Sequence, residues 1–121
     1  MRPIRRFSCG VRTLRSLALC GLIACGTTDE RPATVEVVSL EILAPTCGAV
    51  QCHSTTTRTE GLAFDTLDEA RASMRDLGVR ARNGGELLEV INETEMPPDA
   101  PMFENDIRLI EKWIDAGAPG L

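Results

Sequence analysis

The chain has 121 residues, of which 26% are charged and only 3% aromatic, and it carries a formal charge of −5. Thirteen basic residues against eighteen acidic ones argue against nucleic acid as a partner, because phosphate binding needs clustered Lys and Arg. The length suits one small domain, and a small domain poor in aromatics often leans on a disulfide, a metal or a cofactor.

Arg2, Arg5, Arg6, Arg12 and Arg15 form a basic leader, followed at 16–24 by a mostly apolar, uncharged run, SLALCGLIA. Nine residues fall far short of the ~20 needed to span a bilayer but fit the core of a secretory signal. The run ends in Leu22-Ile23-Ala24-Cys25, which resembles a bacterial lipobox and implies that Cys25 is lipidated and opens the mature chain. Cys20 has a poorer upstream match. Residues 1–24 are therefore read as a lipoprotein signal peptide, 25–34 as a polar tether containing Pro32, and 35–121 as the domain. The implied location is extracytoplasmic, lipid-anchored to a bacterial membrane and either periplasmic or surface-facing. Taking 24 residues from 121 leaves 97, with eight basic against eighteen acidic residues and a formal charge of −10. Such a surface is either simply solvated or a docking face for a basic partner.

Residues 34–43 (TVEVVSLEIL) fit a helix through positions 35, 38 and 42, and almost fit a strand through 35, 37, 40 and 42. Pro45 is expected to end the element either way. Residues 53–61 (HSTTTRTEG) are polar and read as loop. Thr66-x-x-Glu69 is a capping box, with Leu67, Ala70, Met74 and Leu77 at helical spacing behind it and Gly78 as the stop, so a helix is expected over 66–77. Gly84-Gly85 introduces a short apolar segment at 86–91, read as two helical turns. A loop with three prolines follows at 95–102 (EMPPDAPM). The last helix is expected over about 105–116, with Ile107, Ile110, Trp113 and Ile114 on one face. No stretch alternates convincingly. The domain therefore reads as all-α, with three to four short helices and long loops. Its core would be thin, which is a physical reason to expect a cofactor for the helices to pack around.

The cysteines narrow the choice. With Cys9 and Cys20 in the leader and Cys25 lipidated, Cys47 and Cys52 remain, and the only histidine, His53, follows Cys52 directly in CGAVQCHS. The usual covalent haem signature is C-x-x-C-H; here four residues separate the cysteines. Covalent haem needs two thiols to add across its vinyl groups and an imidazole immediately behind the second to bind the iron. His53 meets that requirement. With no second histidine, a six-coordinate iron would take methionine, which raises the reduction potential. Met74 lies on the apolar stripe of a helix and suits packing. Met96, ahead of Pro97-Pro98, suits holding a ligand from a loop, and Met102 is the second choice.

In order, CGAVQCH (47–53), GLAFDT (61–66), ELLEVI (86–91), MPP (96–98) and IRLIEKWIDAGA (107–118) resemble small bacterial c-type cytochrome domains, known from secreted and lipid-anchored proteins of planctomycetes and myxobacteria. The resemblance spans about 37–118. It implies a cytochrome c-like fold around one covalent haem c, with thioethers at Cys47 and Cys52, His53 as proximal iron ligand and Met96 as distal ligand. Some c-type haems attach through C-x4-CH with the extra residues looped out, and Gly48 and Ala49 would make such a loop easier. The implied function is a lipid-anchored, mono-haem, single-electron carrier whose partners are redox proteins. It is not read as an enzyme, since a haem enzyme keeps an open iron position with an acid–base group beside it.

Two other readings compete. In an exported protein, Cys47 and Cys52 invite a disulfide, giving a haemless, disulfide-stapled extracytoplasmic lipoprotein that binds a protein or glycan. That reading leaves the position of His53 unexplained. Zinc would use Cys47, Cys52, His53 and a carboxylate, yet structural zinc usually takes two separated ligand pairs.

Overall fold

The structure is a computed structural model that describes residues 29–121. The signal peptide read at 1–24, the lipidation read at Cys25 and the first part of the tether lie outside the described residues. Among the described residues there are four helices and no strand, so the fold is all-α. None of these helices is long and apolar enough to cross a membrane.

The first helix, α1, runs continuously over 35–47, and its middle, Val37–Leu43, winds with π spacing before a last α-turn, Ala44–Cys47. The amide of Ala44 reaches back to the carbonyl of Ser39, the i→i+5 bond that defines the wider turn. This explains the mixed periodicity of the segment. The buried pairs Val37/Val38 and Ile42/Leu43 recur at a spacing of five, which matches neither an α-helix nor a strand. Pro45 does not end the element as expected. The carbonyls that its missing N–H would serve, around Leu40 and Glu41, lie on the exposed side of the helix, where water can take the bond.

The second helix, α2, is Leu67–Asp76, capped at its N-terminus by Thr66, whose hydroxyl accepts from the Glu69 amide at 3.4 Å. Only half of the capping box forms. The Glu69 carboxylate turns outward to Arg58, with Nη2–Oε1 at 2.5 Å, because an ion pair with a guanidinium competes well against one backbone amide. The third helix, α3, is Gly85–Asn92. It starts so close to the end of α2 that a Cβ on Gly85 would collide with the Leu77 and Gly78 carbonyls, and the Glu86 amide donates to the Leu77 carbonyl at 3.1 Å. The last helix, α4, is Glu104–Asp115.

The core forms where α1 packs on both α2 and α4. It holds Val38, Ile42 and Leu43 of α1, Met74 of α2, Leu87 and Ile91 of α3, and Leu109, Ile110 and Trp113 of α4. Leu109 belongs to the buried face that the sequence pattern assigned to Ile107, Ile110, Trp113 and Ile114; Ile107 and Ile114 are only partly buried. The Trp113 indole N–H donates to the Pro119 carbonyl at 3.1 Å and ties down the C-terminal tail. At the other end, Arg31 bonds both Asp29 and Asp106, at 2.6 and 2.5 Å, and Ala33 packs against the core. The described part of the tether, 29–34, thus lies along the domain.

Without strands, the segment between α1 and α2 satisfies its backbone partly through local turns and partly through side chains. The buried Ser73 hydroxyl of α2 accepts from the Ala63 N–H and donates to the Ala63 carbonyl, each at 2.9 Å. Ser73→Ala orphans both groups and is expected to lower the unfolding free energy by about 2 kcal/mol. Thr66→Ala loses only one long capping bond and is expected to lower it by about 0.5–1 kcal/mol. Urea denaturation of the two variants checks the ranking; equal losses would overturn it.

Candidate functional site

The site begins where α1 ends. Gly48 is buried, and a Cβ there would stand 2.7 Å from the Ala44 carbonyl oxygen and 2.9 Å from the Asp65 amide nitrogen. Only glycine lets the chain pass at this point. The six residues from Cys47 to Cys52 then curl back on themselves: the Cys52 amide donates to the Ala49 carbonyl at 2.8 Å and the His53 amide to the Cys47 carbonyl at 3.0 Å. The additional length bulges outward, leaving Val50 68% exposed.

The His53 ring is held on two sides. Its Nδ1 lies 2.9 Å from the Thr59 carbonyl oxygen. A carbonyl can only accept, so Nδ1 carries the proton, and in the neutral ring Nε2 is left with its lone pair free to bind a metal. The Phe64 ring meets the imidazole edge to face, with centroids 5.9 Å apart and planes at 85°. The Phe64 amide also donates to the His53 carbonyl at 2.7 Å.

Cys47, Cys52, His53 and Met96 all line one pocket of about 530 Å³, within the range of about 300–1,000 Å³ usual for small-molecule and cofactor sites. Its apolar wall comes from Leu62 and Phe64 ahead of α2, from Leu77, from Leu87, Val90 and Ile91 of α3, and from Pro97 and Pro98. Thr46, Thr59 and the exposed Gln51, Glu60, Asp76 and Glu86 complete it, with no Lys or Arg among the described lining residues. The three methionines of the described residues separate cleanly. Met74 is fully buried and Met102 is 8% exposed, both within the core, whereas Met96 is 39% exposed and faces the pocket. The Met96 amide donates to the Val90 carbonyl at 3.1 Å, which fastens the start of the proline loop to α3.

The donors share a pocket without converging on one point. Among the described residues, no three His, Cys, Asp or Glu side chains are grouped as they would be around a single ion. A tetrahedral zinc site, which needs such convergence, does not fit this arrangement. A flat cofactor attached at its edge by thiols and bound at its centre by one imidazole and one thioether asks for the four donors around one apolar cavity instead.

Cys47 and Cys52 stand as free thiols. Burial pushes the Cys47 thiol up to about 11, and the neighbouring Cys52 adds to the shift. Cys47 is therefore held in its neutral form. Opposite the loop, Asp65 accepts from both the amide and the hydroxyl of Thr55, at 2.9 and 2.8 Å. These bonds hold its carboxyl below the usual range, with Arg58 contributing less.

Sequence pattern pointed to the four donors and missed their supports. Phe64 was readable as one of only three Phe in the chain within the GLAFDT segment. The Thr59 carbonyl had no sequence signal, since every residue carries one.

Compared with protein-family models, curated proteins and solved structures, the chain matches none of them.

The Cys47 thiol sets a pH window in the haem-free protein. The unfolded chain releases this proton near 9.0 and the folded chain near about 11, so the folded state binds it more tightly. Its contribution to stability is intact below pH 9 and is lost as pH rises from 9 to about 11. The difference in urea midpoint between wild type and Cys47→Ala should shrink across that window, and a constant difference would show that Cys47 does not set it.

Proposed function

We propose that this protein is a lipid-anchored, mono-haem c-type cytochrome of cytochrome c-like fold that carries single electrons between redox partner proteins outside the cytoplasm. One observation carries the reading: Met96 lies 43 residues beyond His53 in sequence, yet Cys47, Cys52, His53 and Met96 all line the same apolar pocket.

Cys47 and Cys52 would hold the haem through thioethers, and His53 Nε2 and Met96 Sδ would bind its iron. When bound, the haem supplies a reversible one-electron iron couple, whose potential a methionine ligand raises. The protein does the rest. The Thr59 carbonyl and the Phe64 ring fix the plane and tautomer of His53. The aliphatic wall from α3 and the two prolines gives the pocket an apolar side, and a less hydrated centre favours its less charged state. With His53 and Met96 both holding the iron, no open position would be left for a substrate, so the proposed role is a carrier rather than an enzyme. Cys25 would tether the domain to the membrane.

Production with cytochrome c maturation genes should give a coloured protein that retains haem stain after denaturing electrophoresis. Cys47→Ala and Cys52→Ala should each weaken the stain, and His53→Ala should abolish the native spectrum. A colourless wild type with a 47–52 disulfide by mass spectrometry would sink the haem reading in favour of the stapled module. Met96→Ala should remove the weak far-red band of the oxidised protein and lower its reduction potential, whereas Met74→Leu and Met102→Leu, both core substitutions of similar volume, should keep both features.

The anchor is checked separately. Wild type should partition into detergent, and Cys25→Ser should release the protein to the aqueous phase or stall its processing. An aqueous wild type would refute the lipobox assignment.

A further inference from the structure

The loop 54–61 looks dispensable in sequence, a polar run between two better-defined pieces. Its backbone is not ordinary. Arg58 (φ 48°, ψ 48°) and Glu60 (φ 54°, ψ 22°) both adopt the left-handed conformation, and Gly61 follows at φ 78°. Residues with side chains disfavour that region, and they persist in it only where surrounding contacts over-determine the backbone.

The contacts that do so are specific. Arg58 reaches the first turn of α2, where its guanidinium holds both carboxylate oxygens of Glu69, at 3.0 and 2.5 Å. The other end is bound by Asp65, which takes two hydrogen bonds from Thr55. Between these ties, the Thr57 hydroxyl donates to the Val50 carbonyl, and the Arg58 amide donates to the Ser54 carbonyl at 2.8 Å. The residue left between the two left-handed positions is Thr59, and its carbonyl is the one that accepts from His53 Nδ1.

We propose that Asp65 and Glu69 are positioning residues which, through Thr55 and Arg58, hold the left-handed turn so that the Thr59 carbonyl locks His53 in the Nδ1–H tautomer with Nε2 bare. The tautomer follows from the geometry of the chain alone; its purpose, presenting a ready and more electron-rich ligand to haem iron, rests on the cytochrome reading. Neither residue lines the pocket. Both act at one remove, through a backbone carbonyl.

The single histidine makes this directly measurable. In full-length protein held in detergent, made without maturation genes and labelled with ¹⁵N-histidine, one pair of ring nitrogen signals reports where the proton sits. Wild type is expected to show Nδ1 protonated and Nε2 bare. Asp65→Ala and Glu69→Ala should each move the signals toward a mixture in which Nε2 carries part of the proton. Asp65→Asn keeps an oxygen for the Thr55 amide and should restore most of the wild-type pattern. Thr55→Val removes only the hydroxyl bond and should give a smaller shift in the same direction, so the test stands even if Asp65→Ala does not fold. In the haem-loaded protein, Glu69→Ala should raise the reduction potential, because a weaker Nδ1 hydrogen bond leaves the ligand less electron-rich. A wild type with Nε2 protonated, or folded Asp65→Ala and Glu69→Ala variants with unchanged ring signals, would overturn the proposal. A colourless wild type overturns the cytochrome reading instead, and the two failures are distinct because the ring signals are read before any haem is present.

Discussion

The buried hydroxyl of Ser73 is the point on which one side of the pocket hangs. Residues 48–66 join two helices without a strand to pair with, so their polar groups need partners from elsewhere. Ser73 takes both the N–H and the C=O of Ala63, doing with one side chain what a neighbouring strand would do with its backbone. Everything next to Ala63 is thereby placed. Leu62 and Phe64 turn toward the pocket, the Phe64 amide meets the His53 carbonyl, and Asp65 comes within reach of Thr55. A helix of ten residues, α2, thus orders a longer loop whose own regular structure is one short 3₁₀ turn, Thr59–Gly61.

Charge plays a different part. The domain is strongly acidic, and many of its cations are occupied: Arg31, Arg58, Arg71 and Arg108 each pair with carboxylates. Exposed pairs of this kind add little to stability, typically about 0–1 kcal/mol. Their value here is placement. Arg31 lays the described end of the tether along α4 through Asp106, and Arg58 ties the loop to α2. Stability rests instead on the aliphatic core around the fully buried Trp113.

Periodicity was legible wherever a helix followed ordinary α spacing. Ala70 and Met74 of the stripe and the cap at Thr66 appear as read, although Leu67 does not pack on the core, and the short apolar run at 86–91 falls in α3. It failed in α1, where buried residues repeat at five because the turn is wider, and where a proline sits in the helix without stopping it. Reading Met74 as a packing residue needed only its place on a stripe, and it lies in the core. The loop 53–61 was the least legible part. Its order comes from side chains meeting partners about ten residues away, such as Thr55 with Asp65 and Arg58 with Glu69, and spacing along a helix or strand carries no trace of such pairs.

Gly48 has a consequence for how this site can change over generations of sequence. The backbones of Ala44 and Asp65 crowd it so closely that no side chain fits, while Val50, two residues on, points largely into solvent. Insertions and deletions between the cysteines would then be tolerated at the outer tip of the loop and resisted at its root. Spacing would drift while the two thiols and the imidazole keep their places. A motif defined by a fixed count of intervening residues would lose sight of such a lineage long before its geometry had altered.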